Sequence, residues 1–577
     1  MRKKEQQAAD SSRKDAPAAR DRQREQAPAD SRDEALVAKA YGLFDEYLRA
    51  YAQEWQRIDE CEQLYRGEHW QTMAHEDGEP TPVTPILHST VESVAADIVA
   101  RAPQAIIEPE SPMDTEVARV IGALIRQNHD AADYRSDYRR LVHDLLVSGY
   151  CVQEVGYDPR ANNGIGSAYI RYVDCRNMLF DPQADNIPDC RAVFKIQARP
   201  IRTMDERYPH YAGQFTSDVY DVQEDGIVAF DRTKSVLEIE YWWREFVADG
   251  GYGRYVVHMA RLAGHKLLED SRETKPEGYF ASGDYPFFIT TLFSRKGSML
   301  GLGLCDIFGE QQKYADKLDQ IVLINSAMGK SNKLLVTEAS GFDPDDLRDW
   351  AKEVHIGQQL GGVTWFSTPP LPQYVVALAG QIREGIKQES GANDVSRGNV
   401  GGGVTSASAI QALQEASSKR ARQVSDMLHE TFKKAVRMEI EVEREYNVLP
   451  RAVSYLDERG NVVQGTFASA MLMRVTELGN EVPVEFMVSI KVQQESRWTI
   501  QAHNDLIIQM VQLQMLTPEQ GLELMEFEGK EQVLNTVNSD REEALLQQQA
   551  AEAQAAEEQT QLEQQMAMLP TPGQLAR

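Results

Sequence analysis

The chain has 577 residues, of which 42% are hydrophobic and 26% charged, the balance of a soluble globular protein large enough for several substructures around a sizeable core. Its net charge of −28, with a pI near 4.9, argues against an ordinary nucleic-acid binder, whose affinity comes from neutralising many phosphates with Lys and Arg. No apolar run approaches the roughly 18 residues that span a bilayer and the start is polar and charged, so no membrane partner is expected and synthesis is expected in the cytoplasm.

Residues 1–34 mix charged residues, Gln and Ala with almost no large apolar side chain, and are expected to be a disordered arm. From Ala35 a helical pattern carries Leu36, Ala40, Leu43, Tyr47 and Tyr51 until Tyr65-Arg66-Gly67-Glu68-His69-Trp70 and the prolines Pro80, Pro82 and Pro85 break it. Helical periodicity returns over Ser89 to Ala100 and over Asp114 to Val147, where Gly149 stops it. From Tyr150 to about Arg295 the pattern is mainly that of strands: Leu237, Ile239, Tyr241 and Trp243 share one face, Glu238 and Glu240 the other, and Gly250-Gly251 and Ala263-Gly264 punctuate an antiparallel meander.

A long helical run then carries Ile307, Gln311, Tyr314, Leu318, Ile321 and Asn325, followed by a short mixed insert in which Asp343-Pro344-Asp345-Asp346 marks a helix start. A second helix, about Val375 to Glu389, leads into Val395-Ser396-Arg397-Gly398-Asn399-Val400-Gly401-Gly402-Gly403, too rich in glycine to be rigid. A very long helix follows, from about Ser406 to Tyr446, with Ile410, Leu413, Val424, Leu428, Phe432, Ala435, Met438 and Val442 on one side; it would span about 60 Å. Residues 450–500 return to strand-like alternation around Arg459-Gly460-Asn461. Two helices follow, the second announced by the capping box Thr517-Pro518-Glu519-Gln520, and the Gln/Ala-rich stretch from Arg541 to Met568 suits a solvated helix or loose coiled coil.

Enzyme signatures fail on inspection. Gly329-Lys330-Ser331 resembles the end of a phosphate-binding loop, but the glycine required five residues earlier is Ile324, and Gly301-x-Gly303 meets Asp306 where a dinucleotide fingerprint needs a third glycine. The five cysteines Cys61, Cys151, Cys175, Cys190 and Cys305 are widely spaced with no C-x-x-C, so buried thiols are expected and no metal or cofactor. A lone His143 in a helix and the pair Asp181 and Asp185 are assigned no catalysis.

The stretches Tyr65 to Trp70, Phe180-Asp181-Pro182, Gln311 to Asn325, and Arg397-Gly398 before Ser406-Ala407-Ser408-Ala409-Ile410 resemble, in that order, the portal proteins of tailed bacteriophages, especially the large portals of short-tailed phages. The resemblance covers roughly residues 60–450; Thr405-Ser406-Ala407 departs from it where a Ser-Gly pair is common. It implies an α+β portal-type fold: N-terminal helices and a strand-rich wing over 35–302, a first stem helix over 303–332, a small α/β clip over 333–373 and a second stem helix over 374–394. A glycine-rich tunnel loop over 395–405, a tunnel helix over 406–447, wing return strands over 448–500, crown helices over 501–540 and a helical or barrel segment over 541–577 complete it.

It further implies a homo-oligomeric ring, a dodecamer, at one vertex of the virion capsid, assembled in the host cytoplasm. That ring would form the channel for double-stranded DNA packaging and ejection without sequence specificity, with the large terminase subunit, the head-tail adaptor, and the major capsid and scaffolding proteins as partners. An acidic wall with few cations lets a duplex slide instead of holding it. The DNA-facing candidates are Arg397 and Asn399 in the loop, with Arg383 and Lys387, which stand four apart on one face of the second stem helix beside Leu378, Ile382 and Ile386. In the clip, Asp343, Asp345, Asp346, Trp350, Trp365 and Phe366 are the candidate surface for terminase and adaptor, since interface anchors favour aromatic side chains; Phe342 is part of the same cluster. The rival readings are a packaging motor or nuclease, which would need a phosphate-binding loop or clustered acidic metal ligands, and a scaffolding or capsid protein without a channel, for which a glycine-rich loop between two helices has no evident use.

Overall fold

Helix α1 (Ala29–Arg66) begins ahead of the apolar pattern that starts at Ala35. The charged residues Asp30, Asp33 and Glu34 therefore form the amino end of a helix, where the dipole favours acids, and not the end of an unstructured arm. The computed structural model describes residues 29–216, 235–249, 252–330, 333–348, 352–358, 360–366, 370–390, 419–447, 449–456, 462–475, 481–492 and 497–525. Ala40, Phe44, Tyr47, Tyr51, Trp55 and Ile58 recur every three or four residues along the buried face of α1. At Gly67 the backbone turns left-handed (φ 74°), which ends the helix where the sequence breaks.

Helix α2 (Ile86–Val99) follows the proline segment, and strand β1 (Pro103–Pro109) follows α2. The expected helix from Asp114 to Val147 is in fact two, α3 (Thr115–Ala131) and α4 (Tyr134–Val147), separated at Asp133, whose φ of 50° no continuous helix accommodates. The strands β2 (Tyr150–Asp158), β3 (Ser167–Val173), β4 (Met178–Leu179) and β5 (Ala192–Pro200) come next, then helix α5 (Ile201–Arg207). Strands β6 (Ser235–Asp249), β7 (Tyr252–Ala263) and β8 (Lys266–Asp270) continue the expected antiparallel meander in a five-stranded sheet of order β4-β5-β6-β7-β8. Between β7 and β8, Gly264 and His265 both take positive φ (54° and 59°), the two-residue geometry that matches the twist of the strands. His265 stacks on Tyr41 of α1 at 4.1 Å, so the turn is tied to the first helix.

Both faces of β6 are covered. On one, Phe194 and Tyr241 stack at 5.1 Å and join Phe44 and Tyr47 of α1; on the other, Glu238 is almost fully buried between Arg199 (3.1 Å) and Arg207 (3.3 Å). Lys195 donates to Glu154 of β2 at 2.7 Å and lies 3.6 Å from Glu240. The polar half of the strand alternation is thus an internal ion cluster.

Strand β9 (Phe287–Thr291) completes a sheet of order β3-β2-β9, and the short β10 (Phe293–Ser294) and β11 (Gly301–Leu302) pair just before helix α6 (Leu304–Lys330). Beyond it come β12 (Lys333–Val336), α7 (Pro344–Arg348), β13 (Val363–Phe366), α8 (Gln373–Ser390) and α9 (Lys419–Tyr446). Val424, Leu428, Phe432, Ala435, Met438 and Val442 of α9 are buried, the face read from the sequence; Ile410 and Leu413 lie outside the described residues. Strands β14 (Arg451–Leu456) and β15 (Val462–Phe467) form a hairpin, β16 (Met473–Val475) pairs with β17 (Glu481–Pro483), and β18 (Phe486–Val492) pairs antiparallel with β1.

The chain divides into two units, residues 1–492 and 493–577. In the second, α10 (Arg497–Gln512) and α11 (Pro518–Leu524) are described, and the capping box at Thr517 and Gln520 is formed. Unit one is an α+β fold with one dominant core that runs from α1 through the sheets to α9.

Candidate nucleic-acid and docking surfaces

The start of α6 is fixed by a backbone-to-backbone approach. Gly149 (φ 89°) closes α4, and a Cβ there would sit 2.3 Å from the carbonyl carbon of Leu302; one on Gly303 would sit 2.3 Å from the oxygen of Val147. Glycines that suggested half a dinucleotide fingerprint therefore serve close packing. Arg57 of α1 closes the same joint, since its guanidinium donates to Glu54 (2.6 Å), to the Asp306 carboxylate, and to the carbonyl of Ser148 (2.7 Å).

Along α6 the buried face begins with Leu304, Cys305 and Phe308 and then carries the polar Gln312, Asp316 and Gln320 around Ala315. Gln312 donates to the carbonyl of Thr84 (2.7 Å) and to Asp316 (2.7 Å), Asp316 accepts from the Thr84 amide (3.0 Å), and His69 lies 3.0 Å from Asp316. The residues that mark the helix in the sequence point the other way: Ile307, Tyr314 and Ile321 are exposed, and Met328 continues their seven-residue spacing. Helix α8 lies alongside α6 and buries Ala379 and Ile386. On it Arg383 is ion-paired with Asp319 of α6 and reaches the Thr84 hydroxyl at 3.5 Å. Lys387, one turn on, is half-buried, and its ammonium has no partner among the described residues. The two cations that the sequence places on one face thus differ: among the described residues one has an acidic partner and the other has none.

Between α6 and α8, β12 and β13 pair with Leu334 opposite Trp365. Asp343 accepts from the amide of Asp345 (3.0 Å) and so caps α7. Asp345 pairs with Arg348 at 3.2 Å in full solvent, while Asp346 is held by Lys352, with His355 at 3.6 Å. The Lys352 ammonium hydrogen-bonded to it keeps the Asp346 carboxyl below its ordinary range. Phe342 folds over Gly357, where a Cβ would come within 2.4 Å of the ring, so it is local core. Trp365 stands about half exposed. Leu335, Val354 and Ile356 are likewise exposed and were not legible in sequence, because single aliphatics in a mixed insert carry no period. Trp350, Arg397 and Asn399 lie outside the described residues, as does the side chain of Phe366.

Other polar groups have structural work. On α9, Glu439 lies 2.8 Å from His129 of α3, and Glu443 accepts from Asn128 (2.7 Å) and from the amide of Ala168 (3.0 Å), so two buried acids one turn apart bolt the long helix to α3 and β3. Burial raises the Glu443 carboxyl above its ordinary range. Asp181 is sequestered with Arg191 (2.6 Å); burial opposes its ionisation, but that guanidinium and the amides of Gln183 and Arg191 prevail and hold it down to about 2. His143 is hydrogen-bonded to Glu62 at 3.1 Å. All five cysteines are buried thiols.

Asp144, Asp174 and Cys175 bring one potential ligand atom each within 4.8 Å of one another. Tyr172 donates to Asp144 at 2.7 Å, and Asp174 accepts from the amide of Arg176 at 2.9 Å. Burial, with the charge of Asp174 beside it, pushes the Asp144 carboxyl up to about 7, and burial pushes the Cys175 thiol well above its usual value. A protonated thiol and carboxylates already served by protein donors make a hydrogen-bonded core group, poorly suited to a cation.

A family model described as phage P22-like portal protein matches residues 41–258 and 342–576, most of the chain. A search of curated proteins gives no match.

Proposed function

The chain belongs to the phage P22-like portal protein family, and from that membership we propose how each of its parts serves the portal. Portals are structural proteins of the virion: a ring at one capsid vertex through which double-stranded DNA is packaged and ejected, and on which terminase and tail adaptor dock. In our reading twelve copies form the ring, which assembles in the host cytoplasm. Helices α6 and α8 are the stem, β12, α7 and β13 the clip, the glycine-rich loop over 395–405 the tunnel loop, α9 the tunnel helix, the five-stranded sheet the wing, and α10 and α11 part of the crown.

The observation that carries this assignment is the order of elements: a 27-residue helix, a two-stranded insert, an 18-residue helix laid back against the first, a glycine-rich connection and a 28-residue helix. A helix pair that returns on itself places the insert at its far end, where it can meet a partner without disturbing the core. Lys387, without an acidic partner among the described residues, and Arg397 with Asn399 in the loop are the proposed phosphate contacts, which position a duplex without reading bases. Trp365 and Asp345, exposed on the insert, head the docking surface.

Electron microscopy of the purified protein tests the reading. Rings of twelve with a central hole are the expected image; monomers, or closed shells without a hole, would refute it.

A further inference from the structure

The sheet of order β3-β2-β9 has two edges, and they are finished differently. On β3 the outward amides are taken by carboxylates of neighbouring helices: Ala168 donates to Glu443 of α9 (3.0 Å) and Tyr172 to Asp137 of α4 (3.2 Å). On β9 the outward groups are left open. Val155 of β2 donates to the carbonyl of Pro286 (2.9 Å) and Leu292 donates to that of Gly149 (2.9 Å), so residues 286, 288, 290 and 292 face β2. Phe287, Ile289 and Thr291 therefore turn their N–H and C=O groups away from the sheet, and among the described residues no strand or side chain meets them. Nor is this edge blunted in the usual ways, since Phe287–Thr291 contains no charge, no proline and no bulge.

A cleft of about 650 Å³ borders that edge, with Phe287, Ile289 and Thr291 on one side and Lys434, Arg437 and Met438 of α9 on the other. The Thr290 hydroxyl donates to that of Thr431 (2.7 Å), so one face of the sheet looks at α9, while Phe287 and Ile289 stand on the opposite face. Lys434 and Arg437 are exposed and form no ion pair among the described residues, whereas their neighbours Lys433 and Arg444 pair with Glu430 (2.6 Å) and Glu441. Of the acids that line the cleft, Glu441 is thus held by Arg444, and Asp284 lies 3.6 Å from Arg244. Asp185 alone is left against the two cations.

We propose that the open edge of β9 takes an extended segment of another protein as a further strand. Its acidic side chains lie on the face toward Lys434 and Arg437, and its apolar ones on the face that continues Phe287 and Ile289. Main-chain hydrogen bonds to the three open positions supply affinity, and the alternation of acid and apolar selects the partner. Every described strand of this chain already pairs within the subunit, so the added strand is assigned to a different protein. The site goes beyond the portal reading and does not depend on it.

Fluorescence anisotropy on the purified full-length protein tests it, with a labelled, end-blocked peptide of about eight residues that alternates Val and Glu as the probe. Saturable binding is expected. It should weaken by about tenfold or more for the counterpart of alternating Val and Lys, for the Val and Glu peptide with its backbone amides N-methylated, and for the protein carrying both Lys434→Glu and Arg437→Glu. Both substituted side chains are exposed, so circular dichroism should be unchanged. Hydrogen exchange should show the amides of Ile289 and Thr291 protected only when the peptide is bound. Three results would each overturn the site: no saturable binding of the Val and Glu peptide, equal binding of its N-methylated form, or equal binding by the double variant. Protection of those two amides in the free protein would overturn it as well, because this chain would then fill its own edge.

Discussion

Arg383 of α8 is ion-paired with Asp319 of α6, while Lys387, four residues further along the same face, has no partner for its ammonium among the described residues. The two positions should separate in experiment. Arg383→Gln removes a partly buried pair between α6 and α8 and is expected to cost about 1 kcal/mol, read as a small drop in melting temperature, with packaging largely kept. Lys387→Glu should leave melting unchanged and reduce the DNA retained per head. Loss of packaging in Arg383→Gln with none in Lys387→Glu would invert this assignment.

Arg397 is the one cation in the ten residues from Val395 to Val404. One positive charge per subunit steadies a sliding duplex without the steep salt dependence that many phosphate contacts bring. Arg397→Glu should leave ring assembly intact and impair packaging or genome retention. Full infectivity with normally filled heads would show that the loop makes no DNA contact of consequence.

In the insert, Asp346 is engaged by Lys352, so its replacement by Lys also disturbs the local fold, whereas Asp345 and Trp365 stand in solvent. Asp345→Lys and Trp365→Ala are each expected to weaken terminase or adaptor binding roughly tenfold, the effect of about 1.4 kcal/mol, with rings preserved. Unchanged binding in a pull-down titration for both variants would move docking to another surface.

Asp144 provides a pH signature. Its carboxyl is raised to about 7 in the fold, by burial first and by Asp174 second, against an ordinary 3.8. Between those values the folded chain holds a proton that the unfolded chain has released, so this group's contribution to stability falls as pH rises through that window. Asp144→Asn, which mimics the protonated form and still accepts from Tyr172, should be neutral near pH 4 and stabilising at pH 8, on the order of 3 kcal/mol. Melting curves that shift equally at both pH values would refute the linkage.

Gly329 and Lys330 end α6 as the last turn of a long helix, with no strand before them to aim backbone amides at a phosphate. Purified rings are therefore expected to turn over no ATP or GTP and to cut no DNA. Robust turnover that survives purification and disappears in Lys330→Ala would reverse this conclusion.

What the sequence made legible is what local chemistry dictates. The turn at Gly264 announces a hairpin, Thr517 to Gln520 announce a helix start, and the apolar period of Val424 to Val442 gives the buried side of α9. Strand β1 was missed because seven residues bracketed by prolines carry little signal, and their partner Phe486–Val492 lies in a distant part of the chain. Glu439 and Glu443 look like surface acids on a helix until Asn128 and His129 are folded against them. The period of Ile307, Tyr314 and Ile321 located α6 correctly, but these three are exposed while Gln312, Asp316 and Gln320 are buried, so the usual inference from apolar to buried fails at those positions. Of the site residues, Arg383 is committed to Asp319 and Trp365 is about half exposed; no local pattern distinguishes those two fates.

The pairing of β1 with β18 sets a clock on synthesis. Pro103 lies opposite Val492, so the strand that leaves the ribosome early waits for one made roughly 390 residues later, on the order of 20 to 80 s at ordinary elongation rates. Until then the earlier strand presents unpaired amides and carbonyls that only the end of the same unit can satisfy in register. A nascent chain is thus unable to complete the pairing of β1 until residue 492 has been translated, and any product truncated before β18 is left with that edge open.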